Sequence, residues 1–312
     1  MLVTGAAGYV GGRLIGTLRE AGREVHAVVR EPAARLDVAQ TVCDLAVDPV
    51  ELLVSACEGA EVIIHLAGEN EVVASREPAA ALAATVVATE RLVEAAAQTG
   101  VKRLVYVSTV HVYGSRIREG ATLTEDMRPE PRSSYAIARL ASEHLAAMLT
   151  AASSELVVLR LSNAVGAPDH PTVDRWTLVA NDLCRQGARL GRLELRSSGV
   201  QWRDFIALSD VVAILTAASR IEEPVVPPGT YNMGTGNPVT IRALAEMIQD
   251  AFERCSGRRP ELHAPDPGPE RPAPHRVCVQ RAAEHGLRAS RPLSAAVEET
   301  VRFCLEHREE LP

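Results

Sequence analysis

Three glycines near the start of the chain are spaced three apart, in the run Gly5-Ala6-Ala7-Gly8-Tyr9-Val10-Gly11. A strand-like Leu2-Val3-Thr4 precedes them. A helical pattern follows, with Val10, Leu14 and Leu18 on one face. In that setting the first glycine permits a tight turn and the second lets backbone amides approach a pyrophosphate. The third lets helix and strand pack closely. The helix N-terminus then turns its partial positive charge toward the phosphates. Such spacing alone also makes ordinary turns; its place between strand and helix points to a bound dinucleotide.

The end of the second strand bears on which dinucleotide. An acidic residue there would bind the adenosine ribose hydroxyls of NAD. Here the place is held by Val29, followed by Arg30. A carboxylate would repel a 2′-phosphate, whereas arginine hydrogen-bonds one in a fork. NADP(H) is therefore favoured, with NAD possible; the alternative for Arg30 is a plain surface cation. Asp44-Leu45, at the expected end of a third strand, could flank the adenine.

A second constellation lies further on. Ser108-Thr109-Val110-His111-Val112-Tyr113-Gly114 follows the apolar run Leu104–Val107. Tyr135 and Arg139 open a helix after Ser133-Ser134. Their spacing of four puts both side chains on one helix face.

In this order the motifs resemble the extended short-chain dehydrogenases/reductases of the nucleotide-sugar epimerase/dehydratase type. The resemblance covers nearly the whole chain. It runs from the glycine turn through Asp44-Leu45, His65-Leu66-Ala67, Leu92 to Ala96 and Gly100 to Val105 to the Ser108–Gly114 run. It continues through Arg160-Leu161-x-Asn163, Arg203-Asp204-Phe205-Ile206, Tyr231-Asn232-x-Gly234-Thr235-Gly236 and Arg271-Pro272.

The resemblance implies that Thr109 and Tyr135 are the catalytic hydroxyls, with Arg139 as their cation. Moving a hydride between a sugar carbon and a nicotinamide requires moving a proton on the attached oxygen. A tyrosine hydroxyl does this when a nearby cation stabilises its phenolate. The implied cofactor contacts are Gly5, Gly8, Tyr9, Val10, Gly11, Arg30, Asp44, Leu45, Leu66, Ala67, Tyr135 and Arg139. The implied substrate is a nucleotide-diphosphate sugar, with Asn163, Arg203 and Arg271 near the diphosphate and Thr109 and His111 near the sugar. Two arginines and an amide could clamp a pyrophosphate in an otherwise acidic protein. Trp202 is expected to pack rather than stack on a ligand.

The chain departs from the family pattern at three places. Arg139 stands where the family normally has lysine; it keeps the charge but cannot relay a proton. Thr85 and Ala88 replace a usual Asn and Gly. Val110-His111 follow Thr109 where 4,6-dehydratases carry Asp-Glu, which argues against water elimination.

Elements that alternate along the chain must position these residues. Strands are expected at Val25–Val29, Glu61–Leu66, Leu104–Val107 and Leu156–Leu161. Helices are expected at Ala79–Gln98, Ser134–Leu149, Ser209–Ser219, Ile241–Cys255 and Pro292–Glu306. Strands alternating with helices mean a parallel sheet covered on both faces. The fold class is α/β, a Rossmann-type doubly wound parallel sheet with a smaller, mixed α/β C-terminal lobe. Residues 1–165, with parts of 204–240 returning, are assigned to the dinucleotide domain. Residues 166–203 and 241–312 are assigned to the substrate lobe. The prolines at 224, 227 and 228 and at 265, 267 and 269 read as connectors. The alanine-rich helices Ala79–Gln98 and Ser134–Leu149 resemble the pair that forms a dimer interface in the family, so a homodimer is expected.

The totals agree with this outline. The 312 residues are 46% hydrophobic, enough for a substantial core. A formal charge of −7 gives no case for wrapping nucleic acid or an anionic membrane. No apolar run approaches the ~20 residues of a membrane span. The six scattered cysteines, without Cys-x-x-Cys spacing, read as buried thiols rather than metal ligands. The chain opens on a strand with no basic leader, and a cytoplasmic location is expected. The favoured activity is NADPH-dependent ketoreduction of a nucleotide-activated sugar. The alternatives are a 4-epimerase with retained cofactor, a reductase of a non-sugar ketone, and a non-catalytic NADP-binding protein.

Overall fold

The computed structural model describes residues 1–150, 154–223, 225–266, 268–269 and 272–312. Its central sheet has strands β1 (Leu2–Thr4), β2 (His26–Val29), β3 (Ala39–Val42), β4 (Val62–His65), β5 (Arg103–Thr109), β6 (Glu155–Leu161) and β7 (Gly229–Met233). Every pairing within it is parallel, and the order is β7-β6-β5-β4-β1-β2-β3. The chain starts mid-sheet, runs outward to β3, then returns to β4 on the other side of β1. Where strand order reverses, a crevice opens at the carboxyl ends of the strands.

The helices are α1 (Tyr9–Glu20), α2 (Val50–Cys57), α3 (Glu71–Arg76), α4 (Pro78–Thr99), α5 (Ser134–Thr150), α6 (Val179–Leu190), α7 (Leu208–Ala218), α8 (Ile241–Ser256), α9 (Gln280–Glu284) and α10 (Leu293–Glu306). Successive strand residues feed opposite faces. Val3, Ile64, Val105 and Val157 pack with Leu14 and Leu18 of α1 and Val211 and Leu215 of α7. Leu2, Val28, Ile63 and Leu104 pack with Leu53 of α2 and Leu92 and Val93 of α4. Burial on both faces explains the continuous apolar strand runs. A third core joins Leu183 of α6, Leu244, Ile248 and Phe252 of α8, and Val297 and Val301 of α10. A short strand pair, Asn163–Val165 with Phe205–Ala207, leads from the central sheet into it.

A buried polar chain crosses the sheet. Thr4 Oγ1 pairs with His65 Nδ1 at 2.7 Å, and His65 Nε2 with Thr89 Oγ1 at 3.1 Å. The His65 ring is fully buried. Burial first, and then the Arg139 charge, push its pKa down to about 3. An unfolded imidazole titrates near 6.5, so between these values the unfolded chain takes a proton that the fold refuses. The contribution of His65 is therefore complete above about pH 6.5 and is lost as pH falls toward 3. Urea unfolding at pH 7.5 and pH 5 should show about 2 kcal/mol of this loss from His65. His26, His111 and His275 shift in the same direction. The His65→Gln variant isolates the residue: a pH dependence equal to wild type would refute the assignment.

Candidate active site

A cavity of about 700 Å³ lies at the carboxyl ends of β1, β4, β5 and β6. The glycine turn forms one wall, with Gly5, Gly8, Tyr9, Val10 and Gly11. Gly5 has φ +66°, and a Cβ on it would lie 2.8 Å from Ala67 N. A Cβ on Gly11 would lie 2.3 Å from Gly5 O. Turn and helix are therefore in backbone contact. Gly8 caps α1 without a side-chain hydrogen bond, and no acid occupies the first turn. The first amides of α1 are left for a ligand phosphate, and the residues present fit a dinucleotide. Tyr9, on the same wall, donates its hydroxyl to Gly166 O at 2.8 Å.

Beyond β2, Arg30 lines the cavity and pairs with Glu69 at 3.0 Å; its side chain is 71% exposed. Arg35, not anticipated from sequence, also lines the cavity. Its Nη2 donates to Ala7 O at 2.5 Å, within the glycine turn, and its Nε pairs with Asp169 at 3.0 Å. Leu66 is on the wall, whereas Asp44, Leu45 and Ala67 are not among the lining residues. Asp44 Oδ1 accepts from Ala46 N at 2.9 Å, and Leu45 is buried in the α2–α4 core. The turn holds Asp44 and the core holds Leu45. The Ala67 carbonyl has a different use, as an acceptor for Arg139.

The opposite wall carries Ser108, Thr109, Tyr135 and Arg139 together. Thr109 Oγ1 accepts from His111 N at 3.2 Å, which leaves its own hydrogen to donate. Arg139 is 7% exposed. Its Nη1 donates to Ala67 O at 3.2 Å and Val107 O at 3.3 Å. A Cβ on Gly68 would come within 2.9 Å of its Nη2, so the guanidinium is clamped between the ends of β4 and β5. The guanidinium carbon lies 5.6 Å from the centre of the Tyr135 ring. Burial works against its charge, but Tyr106 and then Tyr135 hold its pKa above the ordinary value. The two departures on α4 have local uses: Thr85 Oγ1 accepts from Glu69 N at 3.1 Å, and Ala88 packs beside Leu92.

Asn163, Arg203 and His111 line the substrate side. Asn163 Nδ2 donates to Asp204 O at 2.8 Å. Arg203 Nη1 donates to the Trp202 carbonyl at 2.9 Å, and burial alone lowers its pKa; no described carboxylate pairs with it. His111 keeps an accessible edge, yet burial and then Arg203 hold its pKa low, with Glu71 opposing. Trp202 is a structural residue: its indole donates to Pro272 O at 2.7 Å. Arg271 lies outside the described residues, as do Pro224 and Pro267. Glu71 and Arg175 were also missed in the sequence. They form a two-point ion pair on the cavity wall, at 3.1 and 2.8 Å, across 104 positions.

Residues 1–234 match the model of the NAD dependent epimerase/dehydratase family. The chain belongs to this family. Within this epimerase/dehydratase family it resembles GDP-6-deoxy-D-mannose reductase of Pseudomonas aeruginosa, at 31% identity over 256 residues, 80% of this chain and 79% of the relative. It is 33% identical over 255 residues to dTDP-6-deoxy-L-talose 4-dehydrogenase (NAD(P)(+)) of Kitasatospora kifunensis, 79% of this chain and 77% of that protein. The solved structure of MoeE5 in complex with UDP-glucose and NAD shares the fold with a TM-score of 0.80. It is 28% identical and covers 99% of this chain and 98% of that one. As an epimerase/dehydratase-family member the chain is an enzyme with the Rossmann-type α/β fold. Among the described residues no helix is long and apolar enough to cross a membrane, and no cluster of three metal-ligating side chains occurs. All six cysteines are free.

Proposed function

We propose that the chain is an NADPH-dependent reductase of a nucleotide-linked keto sugar. The observation that carries this reading is one cavity that joins the glycine turn to Thr109, Tyr135, Arg139 and the carboxylate-free Arg203. When bound, the nicotinamide supplies the hydride. Tyr135 gives its proton to the substrate oxygen, and Thr109 donates a hydrogen bond to the same oxygen. Arg139 stabilises the phenolate left behind and, being permanently charged, takes no part in proton relay. Arg203 and Asn163 hold the diphosphate, joined by Arg271. His111 lies beside the sugar.

Residues 1–165, with parts of 204–240, would hold the cofactor, and the third core would carry most of the substrate lobe. The paired helices α4 and α5 leave Leu82, Ile137 and Met148 exposed, which supports a dimer through these helices. A cytoplasmic location fits the same reading.

Two arginines support NADP(H). Arg30 is largely exposed although its partner Glu69 is not, so its guanidinium is free to turn from Glu69 to a dianionic 2′-phosphate. Arg35 stands beside the glycine turn as a second cation. Arg30→Ala is expected to weaken NADP⁺ binding about 10-fold while NAD⁺ binding changes little. Fluorescence titration with both cofactors reads this; equal losses for both would remove the 2′-phosphate role.

A GDP- or dTDP-linked 4-keto-6-deoxyhexose is the substrate to try first, since the reductase and the 4-dehydrogenase described above are named for 6-deoxy sugars. The expected result is NADPH consumption equal to the sugar reduced. The bound NAD of MoeE5 favours a second reading, a 4-epimerase that retains its cofactor. Isomerised sugar without net NADPH consumption would establish that reading instead. If no nucleotide sugar is turned over and UDP, GDP and dTDP give no thermal stabilisation, a non-sugar ketone becomes the substrate class. A protein that binds NADP without turnover would show cofactor binding and no activity on any of them.

A further inference from the structure

Tyr135, Arg139 and Glu143 follow one another at intervals of four along α5, so one helix face carries all three. Tyr135 and Arg139 reach the cavity; Glu143 does not line it and is 6% exposed. On one side the Glu143 carboxylate accepts from Arg160 of β6, with Nη2 at 2.7 Å from Oε2 and Nε at 3.1 Å from Oε1. On the other it accepts from Ser108 Oγ. Ser108 immediately precedes Thr109 on β5 and lies in register with Arg160 on β6.

The contacts continue outward. Arg160 Nη1 donates to the Tyr113 hydroxyl at 3.1 Å, and its guanidinium lies 5.1 Å from the centre of the Tyr113 ring. Tyr113 donates to Asn232 Oδ1 on β7 at 2.7 Å. Asn232 Nδ2 donates to Leu123 O and Cys278 O, each at 3.1 Å. A buried carboxylate is tolerated only with its partners in place, so this network admits little displacement. It joins α5 to three adjacent strands, with Ser108 on the cavity wall and the rest behind it.

We infer that Glu143 is a positioning residue, which acts through Ser108 to lock α5 onto β5 and so fix the Tyr135 hydroxyl against Thr109. The inference rests on Thr109 and Tyr135 as the hydroxyls of the reaction. A residue one turn beyond Arg139 then sets the geometry without touching substrate or cofactor. A displacement of about 1 Å at such a site costs on the order of 10²-fold in rate.

The test uses the full-length protein, NADPH and a GDP- or dTDP-linked 4-keto-6-deoxyhexose. Glu143→Gln strands the Arg160 charge and risks misfolding, so Ser108→Ala is the primary variant. It should lower kcat about 10–100-fold. KM and the NADP⁺ dissociation constant should stay close to wild type, and Ser108→Thr, which keeps the hydroxyl, should recover most of the rate. Glu143→Gln with Arg160→Met, a pair without a stranded charge, should show the same fall in kcat. Wild-type kcat in Ser108→Ala, or equal impairment of the Ala and Thr variants, would overturn the positioning role. A Tyr135→Phe variant measured in parallel separates the two levels. If it is inactive while Ser108→Ala is normal, positioning alone fails. If it is active, the hydroxyl assignment fails and takes the positioning role with it.

Discussion

Tyr135→Phe is expected to lower kcat for ketone reduction by about 10²–10⁴-fold, the usual worth of a positioned general acid. The side chains on the cavity wall leave few other proton sources. Thr109 is a far weaker acid than a phenol and serves better as a hydrogen-bond donor. Arg139 is fully charged at neutral pH and does not release a proton. Its two carbonyl partners and its contact with Gly68 hold it in place whether or not the phenol is there. Phenylalanine keeps the ring 5.6 Å from the guanidinium, so cofactor binding should persist. Stopped-flow reduction with saturating NADPH separates the chemical step from binding. A variant that retained more than about a tenth of wild-type kcat would move the proton to His111, the imidazole on the same wall.

Gly11→Ala should abolish dinucleotide binding. The added Cβ would lie 2.3 Å from Gly5 O and 2.6 Å from Ala6 O. Both are backbone atoms, so relief requires α1 to move off β1 or the turn to open. Overpacking of this kind typically costs about 1–3 kcal/mol, and rigid backbone neighbours put this site at the upper end. The melting temperature should fall by several degrees. The affinity for NADP⁺ and NAD⁺ alike should fall by at least about 100-fold, because the turn amides no longer converge. Gly16→Ala is the control on the same helix. A Cβ there meets nothing within 4 Å, and exchanging a helical glycine for alanine adds stability of about 1 kcal/mol. Intact cofactor binding in Gly11→Ala would mean that the pyrophosphate lies elsewhere.

Strand and helix periodicity carried most of the α/β sheet. The expected elements are present within a residue or two of their ends, because double burial writes apolar runs into β4, β5 and β6. β3 was marked only by the Asp44-Leu45 pair after it. Ala39-Gln40-Thr41-Val42 forms the outer strand, largely accessible, so no apolar run was required of it. α6 was missed although Ala180, Leu183, Cys184 and Ala188 recur at helical spacing opposite Asp182, Arg185 and Gln186. In the cavity, residues on short motifs were legible and residues joined by the fold were not. Tyr135 and Arg139 are a local pair. Glu71 meets Arg175, and Arg35 meets Asp169, only because the loop after Asn163–Val165 returns over the crevice. A charge in a loop carries no mark of its distant partner.

That returning loop changes what opening the crevice entails. Arg35 with Asp169, Glu71 with Arg175, and Arg13 with Glu299 at 2.8 Å each join the sheet side to the other side. Apolar packing crosses with them: Val173 of the same loop is buried in one core with Tyr9 and Leu14. Ion pairs at its edges are weakened by salt, whereas a buried side chain is not. Salt should therefore loosen the polar fastenings of the loop and leave its apolar anchor in place.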